Sequence, residues 1–224
     1  MSFIDAKNVS KTYQQKGAVP TQALKNINLS VEEGDFLCLA GTSGSGKSTL
    51  LNLLGGLDHP TEGQIFYEEK EISNVPIERL ADFRLNTISF VFQAYNLINT
   101  LTALENAEYL LLLQGVGPKE RRKRASEMLE KVGLADCLHK TVNRLSGGQQ
   151  QRVAVCRAVV AKPRVILADE PTANLDSKTS EQLMDLMVGL NQEKNITFIF
   201  SSHDNLVIEK ARKVVHMKDG EITS

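Results

Sequence analysis

The chain has 224 residues, enough for one large α/β domain or two closely joined lobes. Its 26 Lys and Arg nearly balance its 27 Asp and Glu, and the formal net charge is −1. This balance argues against a dedicated nucleic-acid binder, which usually carries a basic face. No apolar run approaches the roughly 18 residues that a membrane-spanning helix needs.

Short apolar runs predict eight strands, with helices between them. In chain order we expect strands near residues 4–9, 27–31, 36–40, 64–67, 88–92, 164–168, 196–200 and 214–217. Helical patterns follow residue 49, span 119–131, begin at Ser146, and recur over 177–192 and 205–212. Strands that alternate with helices indicate an α/β architecture.

A glycine-rich segment follows the third predicted strand. It consists of Gly41, Thr42, Ser43, Gly44, Ser45, Gly46, Lys47, Ser48 and Thr49, and it fits the phosphate-loop pattern G-x-x-x-x-G-K-[ST]. Its glycines let backbone N–H groups point at phosphate oxygens, and the following helix adds its positive N-terminal end. In this pattern Lys47 reaches the β- and γ-phosphates, and the Ser48 hydroxyl binds Mg²⁺. The segment therefore predicts a site for a nucleoside triphosphate.

The cysteines and the N-terminus indicate a cytoplasmic protein. Cys38, Cys137 and Cys156 show no disulfide or metal-ligand spacing, which is typical of a reducing compartment, and Cys38 and Cys156 lie in apolar runs that predict core positions. The N-terminus has no charged-then-apolar signal region. The one dense basic run, residues 121–124, lies among glutamates and predicts a solvated helical face rather than a docking site.

Further segments follow in a fixed order and resemble a known family. They are Phe90-Val91-Phe92-Gln93, Leu145-Ser146-Gly147-Gly148-Gln149, Val165-Ile166-Leu167-Ala168-Asp169-Glu170, Asn174-Leu175-Asp176 and Ser201-Ser202-His203-Asp204. With Tyr13 and the phosphate loop, they resemble in turn the Q-loop, signature, Walker B, D-loop and switch motifs of ATP-binding-cassette (ABC) ATPases. The resemblance covers about 190 residues in register.

This resemblance implies a role for each residue in ATP hydrolysis. Tyr13 stacks on adenine, and Gln93 contacts Mg²⁺ or the attacking water. Asp169, at the end of a buried strand, holds Mg²⁺ directly or through water. Glu170 orients the water or accepts its proton, and His203 hydrogen-bonds the γ-phosphate.

Several of these roles have a structural alternative. Gln93 alone could equally be an ordinary polar loop residue, and the accompanying motifs favour its role at the nucleotide. An Asp-Glu pair can be a solvated turn, but the four apolar residues before it and Pro171-Thr172 after it favour the catalytic interpretation. A tyrosine at the end of an N-terminal strand is often a packing residue, and only its position in the family pattern favours adenine stacking at Tyr13.

The signature residues imply a dimer. In the family, two ATPase domains face head to tail, and Ser146, Gly147, Gly148 and Gln149 of one copy cover the phosphates bound by the other. Asp176 then lies at the shared interface. Ser146 is also a good helix N-cap, and this structural role supplements the functional one.

The resemblance also implies a fold. We expect a P-loop NTPase of ABC type, with a mixed central sheet in a RecA-like core, an antiparallel β-subdomain and an inserted helical signature subdomain. Residues 1–224 form a single domain, in which about 1–94 and 161–224 are core plus β-subdomain and about 95–160 are the helical subdomain. The sequence ends at Ser224, soon after the last predicted strand, which suggests a stand-alone subunit or an excised domain.

Three segments resemble one subfamily more closely. Residues 54–58, 101–106 and 166–176 are similar to those of ATPases serving lipoprotein release, macrolide-type export and the related cell-division complex. The implied partner is an integral membrane permease, which would hold the chain on the inner face of the membrane. Ser202 stands where the family usually has threonine.

The sequence disfavours two other functions. A soluble ABC-type ATPase acting on nucleic acid or ribosomes usually carries two cassettes or a long coiled-coil insertion, and this sequence has neither. A non-hydrolysing switch is disfavoured because Glu170 and His203 are both present.

Overall fold

The computed structural model describes residues 2–14, 17 and 19–223, so that Met1, Gln15, Lys16, Ala18 and Ser224 of the predicted domain lie outside the described residues. The described strands are β1 Ile4–Tyr13, β2 Thr21–Val31, β3 Phe36–Ala40, β4 Glu62–Tyr67, β5 Lys70–Glu71, β6 Ile88–Val91, β7 Val165–Asp169, β8 Thr197–Ser202, β9 Lys213–Lys218 and β10 Glu221–Ile222. The helices are α1 Lys47–Leu54, α2 Ala81–Thr87, α3 Ala103–Leu113, α4 Pro118–Lys131, α5 Gly147–Val160, α6 Ser177–Lys194 and α7 Asn205–Lys210. Every predicted strand and helix is present, whereas α2, α3, β5 and β10 were not predicted.

The strands form two sheets. The larger sheet has the order β10-β9-β3-β8-β7-β6, in which all neighbours are parallel except the β10–β9 pair. The smaller sheet has the order β2-β1-β4-β5 and is antiparallel throughout. The prediction of a mixed central sheet and a separate antiparallel sheet is therefore confirmed.

The central sheet is buried on both faces. In β3, Leu37 and Leu39 face a core shared with α1 and the antiparallel sheet. Phe36, Cys38 and Ala40 face a second core with α5 and α6. Because both faces are apolar, the strand reads as an uninterrupted apolar run. Parallel strands then end at one edge, where the loops after β3, β7 and β8 meet.

A third core joins α3, α4 and α5, the helices that surround the signature segment. On α4, Arg124 pairs with Glu120, which agrees with a solvated helical face. The prediction that residues 121–124 form a solvated face is wrong for Arg121. Its Nε lies 3.2 Å from the carboxylate of the buried Glu108 on α3. All three cysteines are buried and free. Among the described residues, no helix is long and apolar enough to cross a membrane.

Candidate active site

The glycine-rich segment forms the turn between β3 and α1. The Gly41 N–H donates to the Ser202 carbonyl at 3.3 Å. A Cβ at Gly41 would lie 2.3 Å from the Met217 carbonyl oxygen, so no larger residue fits without moving the backbone. Gly46 caps α1 with φ of 102°, in the left-handed region that favours glycine. Thr42, Ser43 and Gly44 form the exposed crest of the loop, Ser45 is buried, and Thr49 lies in the first turn of α1.

Lys47 lies inside this loop. Its side chain is 5% exposed, and its ammonium donates to the carbonyls of Gly41 at 2.6 Å and Thr42 at 3.0 Å. The same nitrogen lies 3.6 Å from Oε1 of Glu170. A buried cation at the N-terminus of α1 adds to the partial positive charge of the helix end, and this combination favours a phosphate.

Two side chains with oxygen atoms that could bind a hard cation such as Mg²⁺ lie side by side. The Ser48 hydroxyl donates to Oδ1 of Asp169 at 2.9 Å, and the Ser201 hydroxyl donates to the same oxygen. Asp169 is the last residue of β7, and Ser48 is the second residue of α1. The predicted metal ligands Ser48 and Asp169 are therefore in direct contact.

Glu170 holds a strained backbone conformation directly after β7. Its φ is 45°, a conformation that costs a non-glycine residue about 1–3 kcal/mol. Its N–H donates to the Ser201 carbonyl at 3.0 Å, which compensates in part. Its carboxylate lies 3.0 Å from Nδ1 of His203 and accepts from the Ser202 hydroxyl at 3.4 Å. The Glu170 side chain is 14% exposed, and its carboxylate lies between the buried Lys47 ammonium and the exposed His203 imidazole.

Tyr13 lies at the end of β1 and is held by Asp58. Its hydroxyl donates to Oδ2 of Asp58 at 3.1 Å, and the Lys11 ammonium lies 4.9 Å from the centre of its ring. Partial burial and the hydrogen bond to Asp58 raise the pKa of the Tyr13 phenol. Burial opposes ionisation of Asp58, but its hydrogen bonds from Lys11, from the His59 N–H and from Tyr13 lower its pKa. Tyr13 is 41% exposed as a residue, so that part of its ring is accessible for stacking.

Gln93 lies in the loop after β6, and its side chain is exposed. The backbone carbonyl of Gln93 accepts a hydrogen bond from Nδ2 of Asn174 at 3.0 Å, and this bond joins the Q-loop to the D-loop. Within the described part of the chain, the side-chain amide of Gln93 makes no hydrogen bond to Ser48 or Asp169. Farther along, Arg157 of α5 donates to the carbonyls of Asn96 at 2.6 Å and Tyr95 at 3.0 Å. The signature helix is thereby tied to the Q-loop.

The signature segment lies apart from the phosphate loop. Ser146 caps α5 in a capping box with Gln149, as the structural alternative predicted. Asp176 caps α6 and accepts from the Thr179 N–H at 3.0 Å and from the Thr179 hydroxyl at 2.6 Å, which lowers its pKa. Residues 146–149 and Asp176 line one cavity of about 370 Å³, which contains none of the phosphate-loop residues.

Three residues that support the site were not predicted from the sequence. Ser201 supports both Asp169 and Glu170, Asp58 supports Tyr13, and Arg157 supports the Q-loop. A polar Ser-Ser pair at the end of the apolar run 196–200 was the one available signal for Ser201. Nothing in the sequence shows that β7 and β8 are neighbours, on which that contact depends.

Comparison with known proteins agrees with this geometry. The family model for "ABC transporter" matches residues 24–173. An uncharacterized ABC transporter ATP-binding protein of Methanocaldococcus jannaschii is 49% identical over 98% of this chain and 97% of its own. The lipoprotein-releasing system ATP-binding protein LolD of Idiomarina loihiensis is 42% identical over 98% of this chain and 96% of its own. The solved dimeric ATP-binding cassette MJ0796, in a post-hydrolysis state bound to ADP and Pi, superposes with a TM-score of 0.92 at 44% identity, covering 99% of this chain and 97% of its own.

Proposed function

This chain belongs to the ABC transporter family and is an ATP-binding ATPase subunit, and we propose that two copies close head to tail on Mg²⁺-ATP to drive an integral membrane permease. The observation that carries this proposal is the convergence of Lys47, Ser48, Asp169, Glu170 and His203 at one edge of the central sheet. The similarity to a lipoprotein-releasing ATPase supports an export-like or lipoprotein-release role. The permease would hold the chain on the cytoplasmic face of the membrane.

The chemistry follows from this arrangement. Lys47 binds the β- and γ-phosphates, and the N-terminal end of α1 stabilises their negative charge. Glu170 accepts a proton from, or orients, the attacking water, and Gln93 helps to position that water. His203 hydrogen-bonds the γ-phosphate and keeps the transition-state geometry.

The pair of Ser48 and Asp169 fits Mg²⁺. Mg²⁺ prefers hard oxygen ligands and usually takes one or two carboxylates, with phosphate oxygens and water completing the shell. A hydroxyl and a carboxylate 2.9 Å apart beside a phosphate loop meet this requirement. The ion would neutralise phosphate charge, with Gln93 as a further ligand.

The separate positions of the signature segment and the phosphate loop in one chain support a dimer. Residues 146–149 line a cavity with the D-loop and not with Lys47, so they are free to cover a nucleotide on another copy. The glycines allow close approach, and the N-terminus of α5 is suited to the γ-phosphate. Asp176 lies in the same cavity and would link the two sites. In this scheme residues 95–160 move as the helical subdomain against a core of 1–94 and 161–224.

A second surface suits the permease. A cavity of about 580 Å³, named here the edge cavity, lies between the edge strand β6, helices α2 and α3, and the loop after Gln93. Its rim exposes three large apolar side chains, Leu57, Ile98 and Leu113. Exposed apolar patches of this kind mark protein interaction sites. Because the cavity adjoins the Q-loop, a permease segment bound there would respond when the two copies close on ATP.

Capture from native membranes tests this function. The tagged Glu170→Gln chain, incubated with detergent-solubilised membranes and Mg²⁺-ATP, is expected to retain an integral membrane protein identified by mass spectrometry. The Lys47→Ala chain is the control that should retain less, because it is expected to bind ATP more weakly. Recovery of soluble proteins, ribosomes or nucleic acid alone would contradict the membrane role and leave the ATPase chemistry in place.

Tyr13 gives a separate test of adenine stacking. Tyr13→Ala is expected to weaken ATP binding roughly tenfold, since a base stacked on an aromatic ring contributes about 1–3 kcal/mol. Tyr13→Phe keeps the ring and removes only the hydrogen bond to Asp58, so its affinity should stay within about threefold of the parent. Titration with fluorescent ATP measures both variants. Equal affinities for the alanine variant and the parent would assign Tyr13 to packing.

A further inference from the structure

The turn that carries Glu170 is strained and depends on contacts from outside it. Residues 170–173, named here the catalytic turn, follow β7 and begin with the left-handed φ of 45° at Glu170. Pro171 comes next, and a proline further restricts the backbone of the residue before it. Such a conformation persists only where the surrounding structure fixes it. The contacts of the catalytic turn therefore decide where the Glu170 carboxylate points.

One side of the catalytic turn is held by β8 and the residues that follow it. The Glu170 N–H donates to the carbonyl of Ser201 at 3.0 Å and to its hydroxyl oxygen at 3.2 Å. The Thr172 hydroxyl donates to Oδ2 of Asp204 at 3.3 Å. Ser201 and Asp204 flank the stretch that carries His203. This side of the turn is thereby fixed to the switch segment.

The other side of the catalytic turn is held by a buried glutamine of α5, the helix that begins at the signature. Gln151 lies in the second turn of this helix, after the N-cap Ser146, and is 1% exposed. Its Nε2 donates to the Pro171 carbonyl at 2.8 Å. In the proposed dimer, the N-terminus of α5 meets the nucleotide bound by the other copy. One side chain therefore links that end of α5 to the residue directly after Glu170.

Stability alone does not explain a glutamine at this position. Oε1 of Gln151 is buried and has no hydrogen-bond partner among the described residues. An unpaired buried acceptor destabilises a fold, whereas an apolar side chain of similar shape carries no such penalty. Methionine would fill nearly the same space without the unpaired oxygen. What the amide adds is the N–H that holds the Pro171 carbonyl.

We infer that Gln151 is a positioning residue for ATP hydrolysis, which fixes the catalytic turn so that the Glu170 carboxylate faces the attacking water. The inference rests on the proposed head-to-tail closure and adds the contact through which closure reaches Glu170. When the signature of one copy engages the nucleotide of the other, a shift of α5 would move the Pro171 carbonyl through Nε2 of Gln151. Hydrolysis at one site would then depend on whether the same chain's signature has engaged the other site.

The kinetics of Gln151→Met test this role. We expect kcat to fall roughly tenfold, because small displacements of a catalytic group are costly in rate. ATP affinity should stay within about twofold of the parent, since Gln151 lies outside the cavity that the signature lines and does not contact the phosphate loop. The melting temperature should be unchanged, because the lost bond and the removed unpaired oxygen offset each other. A parental kcat, or a loss of kcat that only follows a loss of stability or ATP affinity, would overturn the inference.

Gln114 provides the matched control, because its amide also ties α5 to other elements. Its Nε2 donates to the carbonyls of Ala161, at the C-terminal end of α5, and of Leu85 on α2, both at 3.1 Å. Gln114→Met removes the same kind of bond at the opposite end of the helix. It should lower the melting temperature and leave kcat at the parental value. Equal losses of kcat in the two variants would assign Gln151 to general support of the fold and overturn its positioning role.

A double variant shows whether Gln151 acts through Glu170. Residual hydrolysis by the Glu170→Gln chain, followed with radiolabelled ATP, should not fall further when Gln151→Met is added, because no carboxylate remains to be positioned. Losses that multiply would show that Gln151 acts elsewhere and would overturn the inference. If Gln151→Met does not fold, Gln151→Leu makes the same comparison with a shorter apolar side chain.

Sedimentation velocity in saturating Mg²⁺-ATP separates this inference from the proposed closure. The Glu170→Gln chain and the double variant should form dimers to the same extent, since Gln151 acts after the two copies have met. A Glu170→Gln chain that stays monomeric would contradict the head-to-tail closure itself. A double variant that alone fails to dimerise would place Gln151 in assembly, which overturns the positioning role and leaves the closure standing.

Discussion

The Glu170→Gln chain is expected to lose ATP turnover by roughly 10²- to 10⁴-fold while it still binds ATP. Glutamine has the same shape, so it can keep contacts to Ser202 and His203, but its amide cannot accept a proton from water. The substitution also removes a negative charge next to the γ-phosphate. ATP-bound dimers should therefore accumulate, because closure occurs and hydrolysis does not reopen them. Phosphate release measures turnover, and sedimentation velocity in saturating Mg²⁺-ATP measures the dimer.

Glu209 provides the matched control for this experiment. It is an exposed glutamate on α7, and Glu209→Gln makes the same change of charge away from the nucleotide. Its turnover and its monomer–dimer behaviour should equal those of the parent. If Glu170→Gln hydrolyses ATP at a near-parental rate, or stays monomeric in saturating ATP, Glu170 is not the group that activates water.

Most of the central sheet could be predicted because its strands are short and buried on both faces. β3, for example, is an apolar run whose predicted and observed bounds coincide. The residues of β5 and β10 carry no such pattern. Each is a two-residue strand that forms only by pairing with the edge of a neighbouring strand. In β5, for example, Lys70 pairs with Tyr67 and Glu71 pairs with Phe66. Pairing of this kind depends on tertiary structure and is not encoded locally.

The helix α3 was missed although its start is encoded. Thr102 and Glu105 form a capping box, the sequence pattern of a helix N-terminus. The leucine run at its end obscured the helical period, because Leu112 and Leu113 are exposed. These side chains lie at or beside the edge cavity, so the departure from a regular amphipathic pattern coincides with a proposed docking surface.

Four of the motifs could be placed together because the phosphate loop, Q-loop, Walker B and switch segments each lie at the end of a parallel strand, at one edge of the sheet. The supports of the motif residues could not be predicted. Ser201 reaches Asp169 because β8 lies beside β7, and Asp58 reaches Tyr13 across 45 residues of sequence. The φ of Glu170 was equally unforeseen, since nothing in its sequence context demands the left-handed region. These features come from the packed fold.

Lys47→Ala is expected to weaken ATP binding by roughly 10- to 100-fold, because hydrogen bonds to charged groups contribute about 1.5–3 kcal/mol. The side chain is held inside the loop by the Gly41 and Thr42 carbonyls, so its ammonium is already desolvated and close to where phosphate oxygens would bind. Calorimetric titration with ATP gives the affinity, and circular dichroism verifies that the variant is folded.

The control for Lys47 must remove a lysine without touching the loop. Lys194 is exposed at the C-terminal end of α6, and Lys194→Ala should bind ATP like the parent. Lys47→Arg gives a third point: it keeps the charge, but the planar guanidinium is too large for a site enclosed by two carbonyls, so its affinity should fall as well. If Lys47→Ala keeps parental affinity, phosphate binding rests on the loop backbone and the N-terminus of α1, and the ammonium serves only to hold the loop closed.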